Sequence, residues 1–355
     1  MKKLGLLLTL FCLPTLLLAC QKKPERTGGP AGPFYDHYFY QAFRDQLQII
    51  DIADPANPVY LGNLNSNGRT AYNGWVAGRY LYVTEYDMAT TAYQYGVYSL
   101  EDPANPTFVR ALPAPNFNDL VFYDGLGYQV DEEQQLLRVM DYSDPLQPRE
   151  LGAVANAAPG YPQISGDYAM VADFDWCGRA SMCLFSVNFF AIDGVGDLRF
   201  VQHVPIDTRQ SSERFFLRGH ELFYHAISID DDLQFHSTVT VLDLSAPLEN
   251  NLVGTHQVEG QPYYLSDSLL LVQAYSQTNI FNMQLYDSSD GANFIPLGNF
   301  DLPGYPFSAY LREELLYMRY NVYDEQQYSN GEALAVVDLT DPMAPEIIAD
   351  LLVIP

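Results

Sequence analysis

Along this chain apolar residues come in short blocks, either alternating with polar ones at period two or running on for five or six positions. Such blocks predict strands, and no long segment holds a helical spacing. One block recurs. Its clear copies are LQIIDIADPANP (47–58), YGVYSLEDPANP (95–106), LRVMDYSDPLQP (137–148) and LAVVDLTDPMAP (334–345); weaker copies are FFAIDGVGDL (189–198), TVTVLDLSAPL (238–248) and MQLYDSSDGANF (283–294). Each begins with β-branched, aromatic or leucine residues suited to a packed strand. Then, as in Asp54-Pro55 and Asn57-Pro58, come side-chain acceptors and fixed φ angles that make a tight turn. The prolines also remove donors and end strand pairing there. The aspartate ahead of each turn reads as a structural cap.

A second family of segments precedes these, each a pair of strands joined by a very short turn: 75–85, 121–131, 164–174, 215–226, 263–275 and 307–320. The aligned positions Asp51, Ser99, Asp141, Asp193, Asp243, Asp287 and Asp338 lie 48, 42, 52, 50, 44 and 51 residues apart. Strand content at a period of about 40 to 50 residues is the signature of propeller blades. The expectation is an all-β chain forming a single β-propeller of about seven four-stranded blades. Strands A and B are the paired segments, C is the repeat core, and D follows the turn, as in Val59 to Leu64. Blade 1 shows strand B at His37 to Phe43 but no strand A unless residues 30–36 supply it. The end of the chain, Leu351 to Pro355, is too short to cross over into blade 1.

The repeat cores resemble the LVIVD repeat of bacterial and archaeal surface proteins. The resemblance spans roughly residues 37–355 and is clearest in the four proline-turn copies; copies four, five and six depart from that turn. It implies a propeller and an extracellular setting, and it carries no catalytic residue over.

The ends add a compartment. Lys2 and Lys3 precede an apolar run, Leu4 to Ala19, that has the charge and length of a secretory leader and is short for a bilayer span. Leu17-Leu18-Ala19-Cys20 resembles the lipobox of bacterial lipoproteins. The expected organisation is therefore a signal peptide over 1–19, lipid-attached Cys20 with a flexible tether over 20–33, and the propeller over 34–355. The lipid would hold the protein to a membrane of the cell envelope, the outer one in a Gram-negative cell. In that oxidising compartment Cys177 and Cys183 are expected to form a disulfide across a hairpin loop, worth ~2 kcal/mol on a chain-entropy account.

Charge narrows the partners. Loss of Lys2 and Lys3 takes the 18 basic residues to 16 against 44 acidic ones, and the formal charge from −26 to −28. Nucleic acid is excluded as a partner, since binding it requires basic contacts to phosphate.

Candidate chemistry is sparse. In GHELFYH (219–225) the histidines are five apart on a strand pattern, so they point to opposite faces and make no zinc-protease site. His225 and His236, with Asp230 and Asp232 in the intervening turn, are the candidates for a metal pair; Ca²⁺ is the ion acidic turns would attract, and solvated turn carboxylates are the better reading. No catalytic residue and no cofactor is assigned. In an antiparallel blade, A–B and C–D turns share one face while B–C loops and the linkers between blades share the other. The first face has tight turns. The second gathers the long loops 85–95, 173–183, 273–282 and 319–331, rich in Tyr, Asp, Asn and Gln. The expected function is non-enzymatic binding or display toward a glycan or protein through Tyr93, Tyr95, Trp176, Tyr275, Tyr320, Tyr323 and Tyr328. The alternatives are a propeller hydrolase or lyase working through carboxylates and histidines at the channel mouth, and a structural part of an envelope assembly.

Overall fold

The computed structural model describes residues 32–43, 46–64, 66, 68–114, 120–157, 160–176, 182–206, 214–229, 235–274, 280–323 and 329–353. Twenty-eight strands form seven four-stranded antiparallel sheets, each in the order A-B-C-D. Blade 1 spans 34–64, blade 2 70–113, blade 3 120–155, blade 4 161–205, blade 5 215–258, blade 6 260–302 and blade 7 305–353. Strand A of each blade packs beside strand A of the next, from blade 1 through blade 7, so the A strands are innermost. The chain is a seven-bladed β-propeller.

Residues 34 and 35 supply the missing strand A of blade 1, which pairs with Tyr38–Phe43. The ring then closes without strand exchange, because all four strands of blade 7 come from one continuous segment. Side chains make the seal. Phe39, Ile50 and Ile52 of blade 1 form one buried cluster with Tyr317, Leu334 and Val336 of blade 7, and Phe34 sets its ring edge-on to Tyr310 and Tyr317. Arg312 donates to the Asp36 carbonyl at 2.5 Å. Buried Arg319 donates to the Ala42 carbonyl and pairs with Glu332 at 2.9 Å. Large apolar surface removed from water at this seam replaces the backbone ladder that an exchanged strand would supply.

The repeat aspartates do what their position implies. Asp51, Asp141, Asp243, Asp287 and Asp338 each accept the backbone N–H two residues on, at 2.8–2.9 Å. Asp54, Asp102, Asp144 and Asp341 repeat the bond one turn later, closing the proline-containing C–D turns. Hydrogen bonds from Thr340 hold the Asp338 carboxyl below its ordinary pKa. The A–B turns are equally tight, with left-handed residues such as Gly78 (φ 58°) and Gly166 (φ 58°), where glycine carries no steric penalty. In six blades a register shift lets strand D carry one extra residue opposite strand C, for example between Ile49 and Ile50 or between Val336 and Val337. Such bulges bend the outer strand and strengthen its twist.

Candidate functional site

On the face of B–C loops and interblade linkers, a groove of about 730 Å³ lies between blades 1 and 2. Gln46 opens strand C of blade 1, Asn63 and Leu64 end its strand D, and Ser66, Gly68 and Arg69 form the linker. Tyr72 near the start of strand A of blade 2, Tyr86 near the end of its strand B, and Met88 in the turn beyond complete the lining. Tyr86 and Tyr72 are both packed against Tyr93, with ring centroids 5.0 and 6.0 Å apart. Tyr72 is the extra residue of a bulge between Ala71 and Asn73, and it stays half-buried beside the buried Ala71.

Beneath the groove sits a carboxylate with no solvent exposure. Glu85 accepts from Arg69 Nη1 at 2.5 Å, from Gln94 Nε2 at 3.1 Å and from the Tyr98 hydroxyl. A buried charge persists only when paired and hydrogen-bonded in this way. Burial first, and the bond to Glu85 second, push the Tyr98 phenol far above its ordinary pKa, so it stays a donor. Gly96 lies opposite: a Cβ there would stand 2.6 Å from the Glu85 carboxyl. Arg69 also lays its guanidinium over the Phe108 ring at 4.8 Å, and its carbonyl receives Ser66 Oγ at 2.6 Å. The groove floor is thus held by charge-assisted bonds rather than by a loop. Tyrosine rings offer stacking faces; Asn63 Nδ2 donates to Gln46 Oε1 and Asn63 Oδ1 accepts from the Tyr60 hydroxyl at 2.8 Å, which fixes the two amides as a pair whose second amide hydrogens and lone pairs face a ligand.

Of the residues expected on this face, Tyr93 is half-buried against the groove, and Tyr323 is half-buried at the end of strand B of blade 7. Two expectations are corrected. Tyr95 is 1% exposed and packs with Tyr82, Val97 and Phe122; Tyr320 is 2% exposed and donates to Asp350 at 2.6 Å. The B–C hairpins continue farther than the sequence pattern suggested, so the loop 85–95 shrinks to the turn between Asp87 and Ala92, and strand B of blade 7 reaches Tyr323. Extending the ladder pairs backbone groups that burial would otherwise leave costly. Trp176 and Cys183 lie in strands whose side chains at those positions are outside the described residues, as are Cys20, Cys177, Asp230, Asp232, Tyr275 and Tyr328.

The histidine pair is also corrected. His225 stands opposite Val239, and His236 opposite Ser228. Three positions of offset put the two imidazoles on opposite faces of the blade, where they share no ligand. His225 is instead buried, with Nε2 2.7 Å from Ser237 Oγ, and the Ser237 hydroxyl donates to the Gly260 carbonyl. Ser237 therefore accepts from His225, which fixes the Nε2–H tautomer. Burial, helped by Arg214, lowers the His225 pKa from 6.5 to about 4.

The groove's own Tyr72, Gln46 and Asn63 were not singled out in the sequence. Tyr86 and Met88 lay in a loop that was, but nothing in one dimension brings the blade 1 amides to them.

The LVIVD repeat model matches residues 34–66 and 163–176, the first containing all four strands of blade 1 and the second strand B of blade 4. The molecule is a propeller carrying LVIVD repeats. No curated protein matches it. Among solved structures it is similar to the computationally designed Ika8 protein (10% identity, TM-score 0.50, covering 92% of this chain and 88% of that one). It is similar as well to a hypothetical selenium-binding protein from Sulfolobus tokodaii (9%, TM-score 0.50, 92% and 90%) and a protein from Lactobacillus plantarum (11%, TM-score 0.50, 92% and 96%). At these identities the likeness is one of fold.

Proposed function

We propose that this protein is a lipid-anchored envelope propeller that binds a glycan, without catalysis, in the groove between blades 1 and 2. The observation that carries the reading is the set of Tyr72, Tyr86 and Tyr93 beside the amides of Gln46 and Asn63. Rigid aromatic faces pack on the C–H faces of sugar rings at little entropic cost, and amides meet hydroxyls in both directions. The leader-like segment and Cys20 support the envelope setting, and the net charge of −26 suits an uncharged or polar partner better than a polyanion. His225, neutral down to about pH 4 and enclosed, has the wrong pKa for general base work near neutrality.

A glycan array probed with the purified chain, followed by the Tyr72→Ala and Tyr86→Ala variants, tests this. Each substitution is expected to weaken a hit about thirtyfold, the loss typical of an aromatic anchor. Asn57→Ala, in a C–D turn on the opposite face, is expected to leave it unchanged. Binding that survives both tyrosine changes would refute the assignment.

A further inference from the structure

On the opposite face the central channel opens as a funnel of about 1000 Å³, lined by strands A and the A–B turns of blades 3 to 7. Its wall is apolar for a channel: Val121, Ile164, Phe216, Leu217, Leu265 and Leu311 line it, and all but Ile164 remain partly exposed. Partly exposed apolar side chains in a concavity of this size mark a ligand site rather than a packed core.

The mouth is preformed. Gln163 Oε1 accepts from Leu217 N at 2.8 Å and its Nε2 donates to Phe215 O at 3.0 Å, so one amide imitates a ladder step between strands A of blades 4 and 5. The Gly166 N–H donates to Tyr123 Oη, and Gly219 N–H to Ser165 Oγ, each at 2.8 Å. Each turn is tied to the preceding blade, and the funnel cannot fold in on itself without breaking these bonds.

The rim is acidic. Arg218 is occupied: it holds Glu221 at 2.7 Å, donates to the carbonyls of Asp267 and Ser288, and lies over the Phe223 ring at 4.4 Å. His220 stands 3.7 Å from Asp243. Asp267 and Glu313, also on the rim, make no ion pair among the described residues. Two uncompensated carboxylates above an apolar wall, in a chain of net charge −26, focus a negative potential into a low-dielectric cleft.

We infer that this funnel is a second binding site, which takes a small organic cation whose apolar body fills the channel and whose ammonium or guanidinium group meets Asp267 and Glu313. Tyr264 also lines the wall. The site lies on the face opposite the groove, and its test is independent of the glycan reading.

Three probes sharing one apolar body separate the contributions by isothermal titration calorimetry of the full chain: phenylbutyl-trimethylammonium, phenylbutanol and phenylbutanesulfonate. The ammonium probe is expected to bind about tenfold more tightly than the alcohol, and the sulfonate to show no binding. Asp267→Asn with Glu313→Gln, both exposed and free to fold, is expected to bring the ammonium probe to the level of the alcohol. Leu265→Arg is expected to remove both. Glu101→Gln, on a distant C–D turn, is expected to change neither. Equal affinity for all three probes would overturn the inference, as would ammonium binding insensitive to the Asp267/Glu313 change or lowered as much by Glu101→Gln. A Leu265→Arg chain that unfolds transfers the decision to the double variant.

Discussion

Acid should loosen the junction between blades 5 and 6 through one residue. His225 donates to Ser237, and Ser237 donates to the Gly260 carbonyl, where strand A of blade 6 begins. The imidazole is 1% exposed and its pKa falls from 6.5 to about 4. The folded state therefore favours the neutral ring. Its contribution to stability is fully present above the unfolded value of 6.5 and is lost as pH falls through that value toward 4. Below both values the loss reaches about 3 kcal/mol, at about 1.4 kcal/mol per pH unit of difference. Many carboxylates titrate near the lower end of that window, so the informative quantity is a difference. His225→Gln keeps an N–H donor for Ser237 and removes the titration. Urea unfolding of both proteins between pH 7 and pH 4 is expected to give curves that diverge below pH 6.5, wild type falling faster by up to one proton's slope. Parallel curves would show that His225 is accessible to protons in the folded state.

Three further perturbations bear on the fold and one on the anchor. Gly96→Ala drives a methyl to 2.6 Å from the Glu85 carboxyl, which three donors hold in place; urea unfolding should show a loss of about 1–3 kcal/mol. Gln163→Leu removes the two Gln163 hydrogen bonds to strand A of blade 5, and about 2 kcal/mol should disappear from thermal unfolding, with no change in strand content by circular dichroism. Arg319→Met takes the buried guanidinium away from the Glu332 carboxylate at the ring seam, for about 3–5 kcal/mol, whereas Arg319→Met with Glu332→Leu should recover most of it; a double variant as unstable as the single would refute the ion-pair account. Cys20→Ala should move the protein from the membrane fraction to the soluble one, since each buried acyl methylene contributes ~0.8 kcal/mol to anchoring, and unchanged retention would sink the lipid assignment.

The seven blades were legible in the chain from the recurrence of the repeat core every 42 to 52 residues, and the C–D turn chemistry from neighbours within about ten residues, whereas strand A of blade 1 was left open over residues 30–36 until its pairing placed it at Phe34–Tyr35. An aspartate that accepts the N–H two positions on needs no tertiary partner, so Asp51 and Asp338 announce their role locally. Strand ends were legible less well. The alternation around Tyr95 and Tyr320 fits a loop rich in polar residues as readily as the last turn of a hairpin, and pairing with the adjoining strand settled both as core. What only the tertiary structure decided is which residues from different blades face one another. Gln46 and Asn63 meet Tyr72 and Tyr86, Gln163 reaches Phe215, and Arg319 reaches Ala42 across 277 positions of sequence. Those meetings depend on how neighbouring blades rotate around a common axis. That rotation is set by the packing of large side chains between sheets, and packing leaves no period in the order of residues along the chain.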